Sequence, residues 1–220
     1  MEKIYKNNGE AVDFSENVPL IAEMEQLPES PWTIINNWIS PMNNIADRTC
    51  VGTLSTVNSD NTVSSRTMNI KISDEIIFLA THRGSAKWDG DQNQKQASWH
   101  IYWPKLRRQI NIRGTLVECS EELSEEWWNN RPASMDLVST LSKQSKVAAK
   151  SELVNIKRIV ERSDQNNSTK NKLPRPDNFI VLRLLPTEIE FWEGKFDRVH
   201  DRYLYKINTN NVWERMLLFP

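Results

Sequence analysis

Between residues 51 and 118 the sequence is written in short alternating runs, and that period of two restricts the chain to strands. VGTLSTV (51–57) and VSSRTMNIK (63–71) flank NSDN, where Asn61 tolerates the left-handed turn of a hairpin. EIIFLAT (75–81) reads as a third strand. ASWHIYW (97–103) sets Ala97, Trp99, Ile101 and Trp103 against Ser98, His100 and Tyr102. RRQINIRGTLVE (107–118) sets Gln109, Asn111 and Arg113 against Ile110 and Ile112. Side chains alternate across a strand, so each run presents one apolar face. Short alternating strands separated by turns predict an antiparallel sheet or barrel. FIVLRLL, TEIEFW, RYLYKI and VWERMLLF supply further strands near the C-terminus.

Helices fall around this centre. Ser30-Pro31 predicts an N-cap and first helical residue, with Trp32, Ile35, Trp38, Ile39 and Met42 at helical spacing and Pro41 ending or kinking the helix. Ser120, followed by Glu121 and Glu122, caps a short helix carrying Trp127 and Trp128. A longer helix, about 151–162, places Leu153, Ile156, Ile159 and Val160 on one face. The expected class is mainly β with peripheral helices. Residues 1–27 read as a weakly structured arm, 28–162 as the main body, 163–178 as a loop and 179–220 as a C-terminal region completing the barrel.

Composition narrows the function. Lys and Arg number 28 against 29 Asp and Glu, which argues against general nucleic-acid binding but leaves room for a local anion site. Two distant cysteines, no CxxC and three His suggest neither a metal site nor a disulfide framework; free thiols suit a reducing cytoplasm. The polar, acidic opening residues lack the apolar core of a signal peptide, and no apolar run reaches membrane-spanning length. The phosphate-loop, dinucleotide-fold, hydrolase-elbow and zinc-protease motifs are missing from the sequence.

Four groups of residues could carry chemistry. Arg66 to Lys71 is a strand with a cation at each end; charged strand residues are most often merely solvated. THRGSAK (81–87) offers Thr81, Ser85 and Lys87 at a strand-to-helix junction, suited both to phosphate on a helix N-terminus and to an ordinary Ser cap. STLSKQS (139–145), with Gln144 and Ser145, reads as a loop or capping segment. FWEGKFDRVHDRYLY (191–205) spaces Arg198, His200 and Arg202 two apart, so that a strand would point all three one way. Such a row needs an anion or acidic partners to offset its repulsion, or else guards an edge strand.

Taken in order, SSRTMNIK (64–71), WPKLRRQINIRG (103–114), the run from Arg131 to Ser145 and IEFWEGKFDRVHDRYLY (189–205) resemble the pyridoxamine 5'-phosphate oxidase family, including its relatives in phenazine biosynthesis. The resemblance covers roughly residues 30–220. It implies an FMN-binding split β-barrel, a homodimer with flavin at the subunit interface, and residues 179–220 as the dimerisation region. By the same resemblance Arg66, Ser85 and Lys87 hold the flavin phosphate. Thr67, Met68, Asn69, Ile70 and Lys71 run along the flavin with Ala80 and Thr81, and Gln109, Trp192 and Arg202 contact it. Gln144 and Ser145 come from the other subunit. Lys71, Trp127, Arg131, Met135, Arg198 and His200 match substrate positions, with Arg198 and His200 nearest the chemistry.

Departures from the family pattern bear on substrate. An expected Arg before Lys87 is Ala86. Where the vitamin-making oxidases grip the substrate phosphate with a Tyr, an Arg and a Ser, this chain has Trp127, Arg131 and Met135. A hydrogen bond to a charged group contributes roughly 1.5–3 kcal/mol, so losing two weakens phosphate-ester binding by roughly two to four orders of magnitude. LVSTLSKQS also resembles the phenazine-type relatives more closely. The resemblance therefore implies an oxidase passing hydride from a flat, reduced, nitrogen-containing and carboxylated substrate to FMN and then to O2, giving peroxide. A pyridoxamine or pyridoxine 5'-phosphate oxidase with an altered clamp, and a flavin-binding protein without turnover, are the alternatives.

Overall fold

The computed structural model describes residues 4–5, 11–12, 27–39, 49–88, 94–165 and 172–220. Most of the arm expected over 1–27, together with Pro41 and Met42, lies outside them. Within the arm β1 (Ile4–Tyr5) pairs with β2 (Ala11–Val12). Helix α1 (Pro31–Ile39) starts as the sequence predicts: the Ser30 hydroxyl accepts from the Trp32 N–H at 3.3 Å.

Eight strands make one sheet: β3 (Thr49–Val57), β4 (Val63–Ser73), β5 (Ile76–His82), β6 (Gln94–Trp103), β7 (Arg108–Glu118), β8 (Phe179–Glu193), β9 (Asp201–Ile207) and β10 (Trp213–Leu217). Their order is β10-β9-β8-β5-β4-β3-β6-β7, and β7 also pairs with β8. That last pairing closes six strands into a barrel and leaves β9 and β10 as an antiparallel extension. The β3–β4 hairpin turns through Asn61 at φ 63°, as its sequence demands. Between the strands lie α2 (Glu121–Asn130), a 3-10 turn (Ala133–Met135), α3 (Asp136–Leu141) and α4 (Lys150–Gln165). No helix among the described residues is long and apolar enough to cross a membrane.

One strand is longer than the sequence predicts. FIVLRLL and TEIEFW are a single β8 running through Pro186. Proline cannot donate to a ladder. Gly114 on β7 accommodates the neighbouring backbone: a Cβ there would fall 2.0 Å from the Leu185 carbonyl oxygen and 2.9 Å from Pro186 Cα.

The chain divides into two compact units. The first comprises Met1–Leu79, Gln96–Leu116 and Leu184–Pro220; the second comprises Ala80–Lys95 and Val117–Arg183. In the first, Trp38 meets Phe191 and Trp103 edge-on, at 5.5 and 6.4 Å between ring centroids, and Phe191 meets Tyr205 at 5.8 Å. Each such pair adds about 0.5–1.5 kcal/mol beyond simple burial. Ile34, Ile35, Leu54, Ile70, Ile77 and Leu79 are buried in the same unit. In the second, Trp128 packs on Phe179 at 4.9 Å, beside buried Ile180, Val181 and Leu182. The Ser120 hydroxyl caps α2 by accepting from the Leu123 N–H, as predicted.

Both cysteines are free. Burial pushes the Cys50 thiol up to about 12, which keeps it protonated and unreactive at neutral pH.

Candidate functional site

In the second unit, β5 ends in a tight double turn rather than the helix expected after THRGSAK. Ser85 N–H donates to the His82 carbonyl at 3.1 Å, Trp88 N–H to the Ser85 carbonyl at 2.8 Å, and Gly84 takes φ 79°. A helix N-terminus is therefore not what gathers polar groups here. The turn itself folds Lys87 back over Thr81 and Ser85. Its Nζ donates to Ser85 Oγ at 2.9 Å, Thr81 Oγ1 at 3.2 Å and Gln144 Oε1 at 3.3 Å. Thr81, Ser85 and Lys87 are all buried, whereas Ala80 is half-buried.

Gln144 follows α3, and Thr81 Oγ1 also donates to its Oε1 at 3.4 Å. The resemblance implies that Gln144 serves a flavin across the subunit interface; within its own chain it joins Thr81 and Lys87. α3 occupies the first part of the segment expected as a loop. Ser145 is exposed, with φ 63°.

His82 belongs to the same cluster and was not singled out from the sequence. It is 2% exposed, and neither ring nitrogen has a hydrogen bond of ordinary geometry. Its ring meets Phe179 edge-on at 5.9 Å. Burial pushes its pKa below the ordinary value. The charges of Arg131 and Lys87 push the same way, and the nearby Gln144 side chain opposes them. A histidine closing an apolar strand inside a hydroxyl-rich run was the available signal.

Arg131 follows α2 and lies over the Trp128 ring at 4.5 Å. Its Nη2 donates to the Met135 carbonyl at 2.6 Å and Ser139 Oγ at 2.8 Å. Its Nε lies 3.4 Å from fully buried Asp136 without hydrogen-bond geometry, and Lys172 approaches the same carboxylate at 3.3 Å. Burial lowers the pKa of the guanidinium, and Asp136 counters the shift. Trp127 is half-buried on α2, and the Met135 side chain is exposed.

In the first unit, β4 carries the second set. Ile70 is buried, Arg66, Met68 and Lys71 are half-buried, and Thr67 and Asn69 are exposed. Arg66 donates through Nη1 to Thr56 Oγ1 at 2.8 Å and the Leu54 carbonyl at 3.3 Å, both neutral acceptors; burial lowers its pKa. Gln109 is half-buried on β7.

Arg198, His200 and Arg202 do not form one strand face. β9 begins only at Asp201, and residues 194–200 form a turn in which Arg198 takes φ 67°. The turn follows from Gly194: a Cβ there would fall 2.6 Å from the Trp192 ring. Arg198 is exposed. Arg202, on β9, is answered by an acidic neighbour: its Nε donates to Glu190 Oε1 at 2.8 Å, and its Nη1 donates to the Phe219 carbonyl at 3.0 Å. His200 tilts toward Trp192, with ring centroids 5.0 Å apart, and Trp192 meets Tyr102 at 6.2 Å. Two structural residues here escaped the sequence reading. Arg108 Nε donates to Glu193 at 2.6 Å in a buried ion pair, and Arg107 carries φ 52° beside the turn.

Comparisons with known proteins agree with one another. Residues 179–220 match a family model described as the pyridoxine 5'-phosphate oxidase C-terminal dimerisation region. The chain is 34% identical over 169 residues to a pyridoxine/pyridoxamine 5'-phosphate oxidase of Nostoc sp., covering 76% of this chain and 78% of that one. A pyridoxine/pyridoxamine 5'-phosphate oxidase of Bacteroides thetaiotaomicron is 29% identical, with 89% and 91% covered. Among solved structures, the chain is similar to PhzG from Burkholderia lata in complex with tetrahydrophenazine-1-carboxylic acid. That match has a TM-score of 0.77 and 28% identity over 92% of this chain and 98% of the other. A pyridoxamine 5'-phosphate oxidase-related, FMN-binding protein from Nostoc punctiforme shares the fold at TM-score 0.62 and 19% identity, with 88% and 100% covered.

Proposed function

The chain belongs to the pyridoxamine 5'-phosphate oxidase family, and from that premise we propose that it is an FMN-dependent oxidase of a flat, reduced, carboxylated nitrogen heterocycle, of dihydrophenazine type. The residues present fit FMN. A phosphate needs charge and donors, and the 81–87 turn supplies a buried ammonium with two hydroxyls. Arg66, Ser85 and Lys87 are the proposed phosphate ligands. Thr67 to Lys71, Ala80, Thr81, Gln109, Gln144, Ser145, Trp192 and Arg202 complete the proposed flavin set, in a homodimer built through residues 179–220. When bound, FMN supplies the two-electron step, accepting hydride from the substrate and delivering electrons to dioxygen to give peroxide.

The observation that carries the substrate class is the surround of Arg131. Trp127 and Met135 bring no hydroxyl to it, and its Nη2 is occupied by Met135 and Ser139. A doubly charged phosphate ester, with three terminal oxygens, needs more donors than this surround offers, whereas a carboxylate needs fewer. Arg198, in an exposed turn beside His200, is positioned to pair with a substrate carboxylate. Purified FMN-loaded protein offered a dihydrophenazine carboxylate should release peroxide faster than with pyridoxamine 5'-phosphate. Efficient formation of pyridoxal 5'-phosphate instead would establish the second reading, a vitamin B6 oxidase, which the curated relatives favour.

A further inference from the structure

The turn between β8 and β9 is organised around the backbone of Lys195. Its N–H donates to His200 Nδ1 at 3.0 Å. Its carbonyl accepts from Arg107 Nη2 at 3.0 Å and from the Arg198 N–H at 3.3 Å. Its ammonium lies 2.9 Å from Asp201 Oδ1 and 2.7 Å from Oδ2, the first with hydrogen-bond geometry. Arg107 also accepts the Gly194 N–H at its own carbonyl, at 2.8 Å, and its guanidinium lies 4.7 Å over the Phe196 ring. All of these groups lie in the first unit.

A neutral imidazole has one N–H and one lone pair. A backbone N–H only donates, so the bond from Lys195 requires the lone pair at Nδ1 and puts the hydrogen at Nε2. Protonating Nδ1 would set two donors face to face and strand the Lys195 N–H. Nε2 already carries its hydrogen and cannot take another. We infer that His200 acts as a fixed hydrogen-bond donor to the substrate through Nε2–H, not as the base of the reaction, and that Arg107 is the residue that positions it. Resting on the functional reading above, the atom that meets Nε2–H is a substrate acceptor, the carboxylate oxygen. His200 therefore does not take the proton lost with the hydride.

Two measurements on the FMN-loaded protein test this. The first needs no turnover: ¹⁵N NMR of histidine-labelled protein, with His200 assigned by its loss in His200→Gln. A pyridine-type Nδ1 and a pyrrole-type Nε2 are expected, and Arg107→Met should mix the tautomers while Arg107→Lys restores the wild-type pattern. The opposite tautomer overturns the inference. The second uses whichever of a dihydrophenazine carboxylate and pyridoxamine 5'-phosphate is turned over. Gln can place an N–H near Nε2 but cannot act as a base. His200→Gln should stay within about tenfold of wild type in kcat/KM while His200→Ala falls roughly 10- to 100-fold, mainly in KM. Equal losses of about 10²–10⁴ in kcat for both variants are the signature of a base and overturn the inference. Arg107→Met should raise KM several-fold at unchanged flavin content. If neither probe is oxidised, the substrate reading fails and the tautomer measurement still decides the role of the turn.

Discussion

The 81–87 turn and the 194–202 turn both gather cations, yet they hold them among different groups. Lys87 is buried with the oxygens of Ser85, Thr81 and Gln144, while Arg83 in the same turn pairs at the surface with Glu118 and Glu121. In and beside the second turn, ion pairs join Lys195 to Asp201, Arg202 to Glu190 and Arg108 to Glu193. Burying a charge is costly unless it is paired or well solvated by hydrogen bonds. The first arrangement suits an arriving anion, whose charge the hydroxyls and ammonium can receive. The second uses its ion pairs to hold a backbone in place, with Arg198 exposed and His200 half-buried against Trp192. Cations close in sequence thus need not share a task.

The largest expected effect lies at the internally paired end. Arg108→Met removes the buried guanidinium that donates to Glu193 and should destabilise the fold by about 3–5 kcal/mol in urea unfolding. Adding Glu193→Leu should recover much of that loss, whereas no recovery would mean that the pair is not the source of the effect. Lys87→Met should leave the fold close to wild type in stability but weaken FMN binding by about two orders of magnitude, with riboflavin affected far less. Equal losses for both ligands would place Lys87 away from the phosphate and erase the contrast between the turns.

A smaller effect concerns pH. Because burial holds the His82 pKa below that of the unfolded chain, the unfolded state binds more protons in the window between the two values, and stability rises with pH there. The stabilising contribution is present above the ordinary value of 6.5 and is lost as pH falls toward the lowered one. His82→Asn should flatten this limb of a stability–pH curve measured by thermal melting, and an unchanged slope would assign the acid sensitivity to another group. The smallest effect is Ser120→Ala, which removes the α2 cap and should cost about 1 kcal/mol in the same unfolding assay.

What could be read from the sequence was local. Asn61 in its turn, Ser30 and Ser120 as caps and the alternating strands of the barrel each depend on neighbours a few residues away. The Lys87 cluster was half legible: Thr81, Ser85 and Lys87 stood out as residues, but the turn that folds them together did not look different from a helix start. The 194–202 turn was misread because a two-residue spacing says nothing of Gly194, whose lack of a side chain leaves room for the Trp192 ring. Arg107, Glu190 and Glu193 were invisible as partners because each meets its mate only where segments apart in the sequence come together. Continuity of β8 through Pro186 was hidden for the same reason, since it depends on Gly114 in another strand.

The central claim is that this chain grips the phosphate of FMN. Titration of the purified protein with FMN and with riboflavin, followed by flavin fluorescence, tests it directly. Saturable binding of one FMN per chain, at least tenfold tighter than riboflavin, is the result expected. A protein that ignores FMN at micromolar concentrations, or that binds both flavins equally, would contradict it.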